Sequence, residues 1–340
     1  MDATAQRLRA WLTGPMLVTF GLFASLPLWV EGVGLYSYLA VEILIWCLYA
    51  LGFNLLLGYT GLPSFGHGAF FGIGAYAMGL TQFHLVASLW AGLAASLLAG
   101  LVAGAAVALF ISHRRGIYFA LMTIAFGEVF FFIASKWTSV TGGEDGLLNI
   151  SRLPATVGPW QFDLQANYHL FYFVLAVFVA VTLLLWRLVH APFGKVLQAI
   201  RQNETRTRFL GYPVGLYKWA SFSLSAGVAG LAGGLFALAQ EGAYVQVMNL
   251  QWSGIIVLMT LIGGGMVSFW GPVVGAIVFF LARDVLGALT EAWLLWYGLM
   301  FMAIIMFKPE GLAGLYQHLL RRAVSLRASQ PARLGNVFWR

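Results

Sequence analysis

Residues Gly58-Tyr-Thr-Gly61-Leu-Pro-Ser64-Phe-Gly66-His67-Gly68-Ala-Phe-Phe-Gly72-Ile-Gly74-Ala-Tyr76 follow a long apolar run and break it with glycine and proline rather than with charge. A helix facing lipid all round has no use for so many glycines. Close helix–helix approach, or a broken helix bordering a cavity, does. Gly68-x-x-x-Gly72 has the spacing of helix packing. Gly72-x-Gly74-x-x-Ala77 superficially fits a dinucleotide fingerprint, but no strand precedes it and its surroundings are apolar. His67 stands alone and reads first as a packed, hydrogen-bonded histidine, second as a substrate contact.

The rest of the chain agrees with a lipid solvent. Its 340 residues are 61% hydrophobic and only 9% charged, where soluble domains carry about 25%. Mean hydropathy is +0.84. The single Cys47 offers neither a disulfide framework nor a metal cluster. Apolar runs fall at Gly14–Val30, Tyr36–Leu57, Phe70–Leu80, Val86–Ile111, Ile117–Ala134, His169–Trp186, Trp219–Ala239, Gly254–Ile262, Val273–Leu289 and Ala292–Phe307. They predict an all-α polytopic membrane protein of about ten transmembrane helices with broken Gly-rich segments. The runs are too long and continuous for a barrel.

The net charge of +7 is a topology signal rather than a nucleic-acid footprint. With the N-terminus inside, all but three of the 19 lysines and arginines fall in inside segments. Lys136 and Arg152 lie outside and Arg283 within a span, whereas the outside loops carry Glu31, Glu144, Asp145, Asp163, Glu241 and Glu291. Both termini are therefore expected in the cytoplasm. Residues 1–13 form a cytoplasmic N-terminus and 14–307 the transmembrane domain, with an external loop at 135–168 and a charged internal segment at 187–218. Residues 308–340 form a basic cytoplasmic tail suited to anionic headgroups. The start has a charged n-region but no A-x-A-like cleavage site, so Gly14–Val30 reads as a first anchor helix.

A second interrupted run, Gly263-Gly-Gly265-Met-Val-Ser268-Phe269-Trp-Gly271-Pro272, matches the first as Gly61-x-x-Ser64-Phe65 against Gly265-x-x-Ser268-Phe269. Paired interruptions in two halves hint at an internal repeat around a central pathway, with chance the rival in so glycine-rich a chain. Glu42, Glu128, Arg283 and Asp284 sit inside spans, where each costs about 2.5–3.5 kcal/mol unless it faces protein or water. Arg283 beside Asp284 reads as a structural couple; Glu42 and Glu128 are candidates for the pathway. No motif for hydrolysis or phosphoryl transfer is present: Gly194-Lys195 has Val189 where a P-loop needs glycine. The internal run Phe193–Gly211 looks like a short amphipathic helix, a polar turn and a glycine stop. It suits a membrane surface or a partner's groove.

Together these pieces resemble the LivM-type permease subunits of ATP-binding-cassette importers of branched-chain and other hydrophobic amino acids. The matching pieces include the Gly61–Tyr76 run, Gly116-Ile-Tyr118-Phe-Ala-Leu-Met-Thr123-Ile-Ala-Phe-Gly127-Glu128 and Thr141-Gly-Gly-Glu-Asp-Gly-Leu147. They continue through Gly194–Gly211, Ala226–Gly233, the Gly263–Ala276 run and Lys308-Pro309-Glu310-Gly311. In order, they span residues 40–315. The resemblance implies a bacterial inner-membrane transport subunit rather than an enzyme. Its expected partners are a sister permease, two cytoplasmic ATPases and a periplasmic binding protein. It implies no cofactor on this chain, with ATP and magnesium bound by the ATPases. Gly61, Ser64, His67, Tyr118, Thr123, Glu42 and Glu128 are expected along the pathway, and Thr141, Gly142, Gly143 and Asp145 toward the binding protein; a turn closing the outer face is the alternative there. Gln198, Ala199, Arg201, Asn203, Glu204, Arg208 and Gly211 become the ATPase-coupling residues. Arg206 and Thr207 depart from the small residues of the importer pattern E-A-A-x-x-x-G, and Phe65 stands where leucine is common. Hydrophobic amino acids are the expected cargo. A urea or short-amide permease is the alternative, and a self-contained secondary transporter a more distant one.

Overall fold

The computed structural model describes residues 14–29, 37–157, 160–264, 266, 268–307 and 311–314. The N-terminus 1–13, Glu31, Gly265, the Lys308-Pro309-Glu310 run and the tail apart from 311–314 lie outside the described residues.

Without water to satisfy backbone groups, a lipid-embedded chain closes its hydrogen bonds within helices. Helix α1 spans Gly14–Trp29. Helix α2 spans Ser37–Asn54 and continues as a π-helix over Leu55–Thr60. Then follow α3 (Gly68–Leu80), α4 (Leu89–Ile111) and α5 (Gly116–Lys136). After a long connecting segment come α6 (Asn167–His190), α7 (Pro192–Gln202), α8 (Glu204–Phe209) and α9 (Val214–Gln240). The chain continues through α10 (Leu250–Gly263), α11 (Gly271–Leu289) and α12 (Trp293–Phe307).

Each expected apolar run falls on one of these helices. Among the described residues six helices are long and apolar enough to cross a membrane, counting α2 with its π-helical end together with α4, α5, α6, α9 and α11. Helices α1, α3, α10 and α12 have 16, 13, 14 and 15 residues. At about 1.5 Å per residue they reach about 20–24 Å, short of a hydrocarbon core of about 30 Å. The chain is thus a polytopic all-α membrane protein. Among the described residues the few strands lie between helices: β1 (Leu147–Leu148) pairs with the later strand β4 (Gly242–Ala243), and β2 (Ala155–Val157) with β3 (Trp160–Phe162), both antiparallel.

Two helices form the centre. The apolar window of α2 is wholly buried and that of α9 is 94% buried, against 28–33% in α4, α5, α6 and α11. The close packing of neighbours on α9 rests on absent side chains: a Cβ on Gly74 of α3 would fall 1.9 Å from the Gly230 carbonyl oxygen of α9. A Cβ on Gly230 would fall 2.4 Å from the Ser96 carbonyl oxygen of α4. Overpacking a fitted core costs about 1–3 kcal/mol, and backbone atoms cannot swing aside as side chains do. Gly230→Val is therefore expected to cut the yield of monodisperse protein severalfold on size-exclusion chromatography. Gly287→Val, where nothing lies within 4 Å, should leave it unchanged.

The loops gather at opposite ends. At one, Arg115 meets Glu204, Lys218 meets the Arg114 carbonyl, and Arg201 meets Gly58 and Met266. At the other, Gln82 meets Ser151, Trp90 meets Thr156, and Arg152 meets Glu241.

Candidate translocation site

Both interruptions are made by a glycine that ends a helix in the left-handed region. Gly61 has φ 75° and its N–H bonds Leu57 O; Gly264 has φ 84° and its N–H bonds Leu261 O. Such a cap stops a helix because other residues resist positive φ. Segments 61–67 and 264–270 then have equal length before α3 and α11 begin. The two interruptions match in length, but their register runs from Gly61 to Gly264, one residue earlier than the serine–phenylalanine match. Five shared letters could not locate a cap, which is a backbone property.

The first segment is clamped against α5. Phe65 N–H donates to Thr123 Oγ1 at 3.1 Å, and Thr123 donates to the Ala120 carbonyl at 2.7 Å. Gly66 lies against the Thr123 carbonyl and Gly127. Ser64 is fully buried, and its Oγ has no hydrogen-bond partner among the described residues. His67 is also fully buried, stacked on Tyr49 and edged by Phe53, Phe70 and Phe222. Ser225 donates its hydroxyl to Gly52 O, so His67 Nε2–H is the donor in the 3.0 Å bond to Ser225 Oγ.

The short helix pair α7–α8 presents two different faces. Val196, Leu197 and Ile200 are buried, as the amphipathic pattern requires. Asn203 caps α8 by accepting from Arg206 N–H at 2.9 Å. Two of the expected coupling residues turn inward. Glu204 collects Arg115 at 3.0 Å, Arg208 at 3.3 Å and the fully buried Lys218 at 3.5 Å. Arg201 donates to the carbonyls of Gly58 and Met266, beside a cavity of about 520 Å³ lined by Tyr59, Gln198, Gln202 and Ser268. Partial burial lowers the Arg201 pKa through desolvation, although a guanidinium stays charged regardless. Ala199 is half-buried, while Gln198, Asn203, Arg208 and Gly211 are exposed. The apolar tip was missed by sequence reasoning: Phe209 is 86% and Leu210 71% exposed. Their signal was present, as apolar residues directly before a glycine stop.

The intramembrane charges separate. Arg283 of α11 grips both carboxylate oxygens of Glu42 of α2, each at 3.0 Å, and also reaches Asp284 at 3.1 Å. Glu42 is 7% exposed and so belongs to an ion pair inside the helix bundle. Glu128 instead stands on the exposed stripe of α5, with Tyr118, Leu121, Ala125 and Phe132 at helical spacing. Among the described residues no group of His, Cys, Asp and Glu could hold a metal.

In the loop after α5, Thr141 is buried and donates to the Ala134 and Trp137 carbonyls. Gly142 and Gly143 have φ 74° and 69°, building a tight turn whose Gly146 abuts the Ala243 carbonyl. Glu144 and Asp145 project outward from it.

Residues 35–308 match the family described as branched-chain amino acid transport system / permease component. The chain is 27% identical over 293 residues to the high-affinity branched-chain amino acid transport system permease protein LivM of Escherichia coli K12, covering 81% of this chain and 69% of that one. It is equally similar to the LivM of Salmonella typhimurium LT2, 27% identical over 296 residues with the same coverage. A probable LivM of Methanocaldococcus jannaschii is 23% identical over 210 residues, 57% of this chain and 59% of that one. No solved structure matches the chain. With the family covering nearly the whole helical core, from the start of α2 to the end of α12, the chain belongs to the permease components of branched-chain amino acid transport systems.

Proposed function

We propose that this chain is one membrane permease of an ATP-driven importer for branched-chain or other hydrophobic amino acids in the bacterial inner membrane. Ten passes place both termini in the cytoplasm, with the shorter helices completed by the interrupted segments and flanking residues. The observation that carries the reading is the α7–α8 pair, which is tied into the helix core on one face and offers an apolar tip on the other. Arg206 and Arg208 give that tip a cationic rim suited to an ATPase groove. A sister permease and a second ATPase complete the transporter, and a periplasmic binding protein delivers cargo near Glu144 and Asp145.

The α5 stripe supports a second membrane subunit. A carboxylate facing hydrocarbon at mid-span costs about 2.5–3.5 kcal/mol. Glu128 therefore faces a pathway shared with the sister permease, where it accepts the cargo's ammonium group. Glu128→Gln is expected to lower leucine uptake about tenfold, the worth of a charge-assisted hydrogen bond. Copurification with the sister subunit should persist, and an unchanged uptake rate would count against the assignment.

Copurification of the tagged chain from its native membrane tests the reading as a whole. An ATPase should accompany it, and leucine uptake should disappear when the ATPase genes are deleted. Full uptake without them would identify a self-contained transporter. A cognate receptor that binds urea but no amino acid would redirect the cargo assignment to urea.

A further inference from the structure

Arg201 joins three parts of the chain that sequence keeps far apart. It lies in the last turn of α7, and its Nη1 donates to the carbonyl of Gly58 and, at 2.8 Å, to that of Met266. Gly58 is in the last turn of the α2 extension, where carbonyls run out of intrahelical partners. In a π-helix its partner would be the N–H five residues on, but that residue is Pro63, which has none. Leu62 and Gly61 N–H groups turn back to Leu56 and Leu57 instead. Met266 lies in the second interrupted segment, just past the Gly264 cap. The Arg201 stem also lies flat on the first cap: a Cβ on Gly61 would come within 2.8 Å of its Cγ. One guanidinium from the cytoplasmic helix pair therefore fixes the ends of both interrupted helices, at the rim of the cavity lined by Gln198, Gln202 and Ser268.

We propose that Arg201 is a strut that makes a shift of α7–α8 move the Gly58–Gly61 end of the first interrupted helix and Met266 together, opening or closing the cytoplasmic mouth of the pathway. It acts as a positioning residue and touches neither cargo nor nucleotide. A static cap on two carbonyls would make the same bonds but would not link hydrolysis to uptake. The proposal rests on the importer reading for its driving force and on geometry alone for the tie itself.

The test uses the complete importer in proteoliposomes, with its receptor and tritiated leucine, comparing Arg201→Met and Arg201→Lys with the parent. Both variants should keep their ATPases bound. Arg201→Met should move about tenfold less leucine per ATP hydrolysed, the loss expected when charge-assisted hydrogen bonds are removed. Arg201→Lys keeps the charge but replaces the planar fork with a compact ammonium, and should fall between. In detergent, amide hydrogen exchange in Arg201→Met should rise in both 61–67 and 264–270. Unchanged leucine per ATP in both variants would overturn the strut, as would dissociation of the ATPases, which would make Arg201 a docking contact. Faster exchange in only one segment would also overturn it. If Arg201→Met does not fold, the same two readouts on Arg201→Lys decide. If the parent complex shows no ATP-dependent leucine uptake, the importer reading fails, and the paired exchange response still tests the tie.

Discussion

Phe209→Asp combined with Leu210→Asp is expected to abolish ATP-driven uptake while leaving the chain folded in the membrane. The two side chains are 86% and 71% exposed and carry little of the fold. Covering each in a partner's groove is worth about 1.5–3 kcal/mol. Together that is about 3–6 kcal/mol, or roughly a hundred- to ten-thousand-fold in affinity. The aspartates would add the cost of burying carboxylates at the interface. The tip is well separated from the inward contacts that hold α7–α8, since Glu204 and Arg201 bond to the membrane core. Chain abundance and monodispersity in detergent should therefore match the parent, while the ATPases are lost on affinity purification and leucine uptake drops to background. Retention of both would show that α7–α8 is not the ATPase contact.

Helix positions were legible in the sequence because hydropathy reports them directly; α4 and α5 lie within a few residues of their apolar runs. The two interruptions were legible for a related reason, since Gly61, Pro63 and Gly264 each act on their own backbone. Side-chain direction was not. The segment 193–211 reads as a short amphipathic helix, a polar turn and a glycine stop, and its pattern cannot say that Arg201 and Glu204 point into the core while Phe209 points away. That choice is made by groups at Gly58, Arg115, Lys218 and Met266, each distant in sequence from at least one of the residues it meets. The external motif divides in the same way. Its glycines read as docking residues or as a turn, and the structure builds Gly142 and Gly143 into a turn while Asp145 projects. Glu42 reads as a pathway candidate because a carboxylate inside a span must face protein or water. Its partner is 241 residues away.

That distant pair gives the other large effect. Arg283→Met is expected to be severely destabilising, because it strands the Glu42 carboxylate among the helices. Breaking one side of a buried ion pair costs about 3–5 kcal/mol. The loss here includes two hydrogen bonds of 3.0 Å, although the nearby Asp284 exchanges a bond with the same guanidinium and shares in the change. Glu42→Gln alone should cost less, since a neutral amide still accepts a bond from Arg283, whose charge Asp284 partly balances. Joining Glu42→Gln to Arg283→Met removes both charges and should recover most of the lost stability. Thermal unfolding of the purified variants, followed by tryptophan fluorescence, closes the double-mutant cycle. A positive coupling of at least about 1.5 kcal/mol marks the pair as a clasp between α2 and α11. Additive losses would instead mean that Glu42 meets water or cargo in the working state, returning it to the pathway where its place in the sequence first put it.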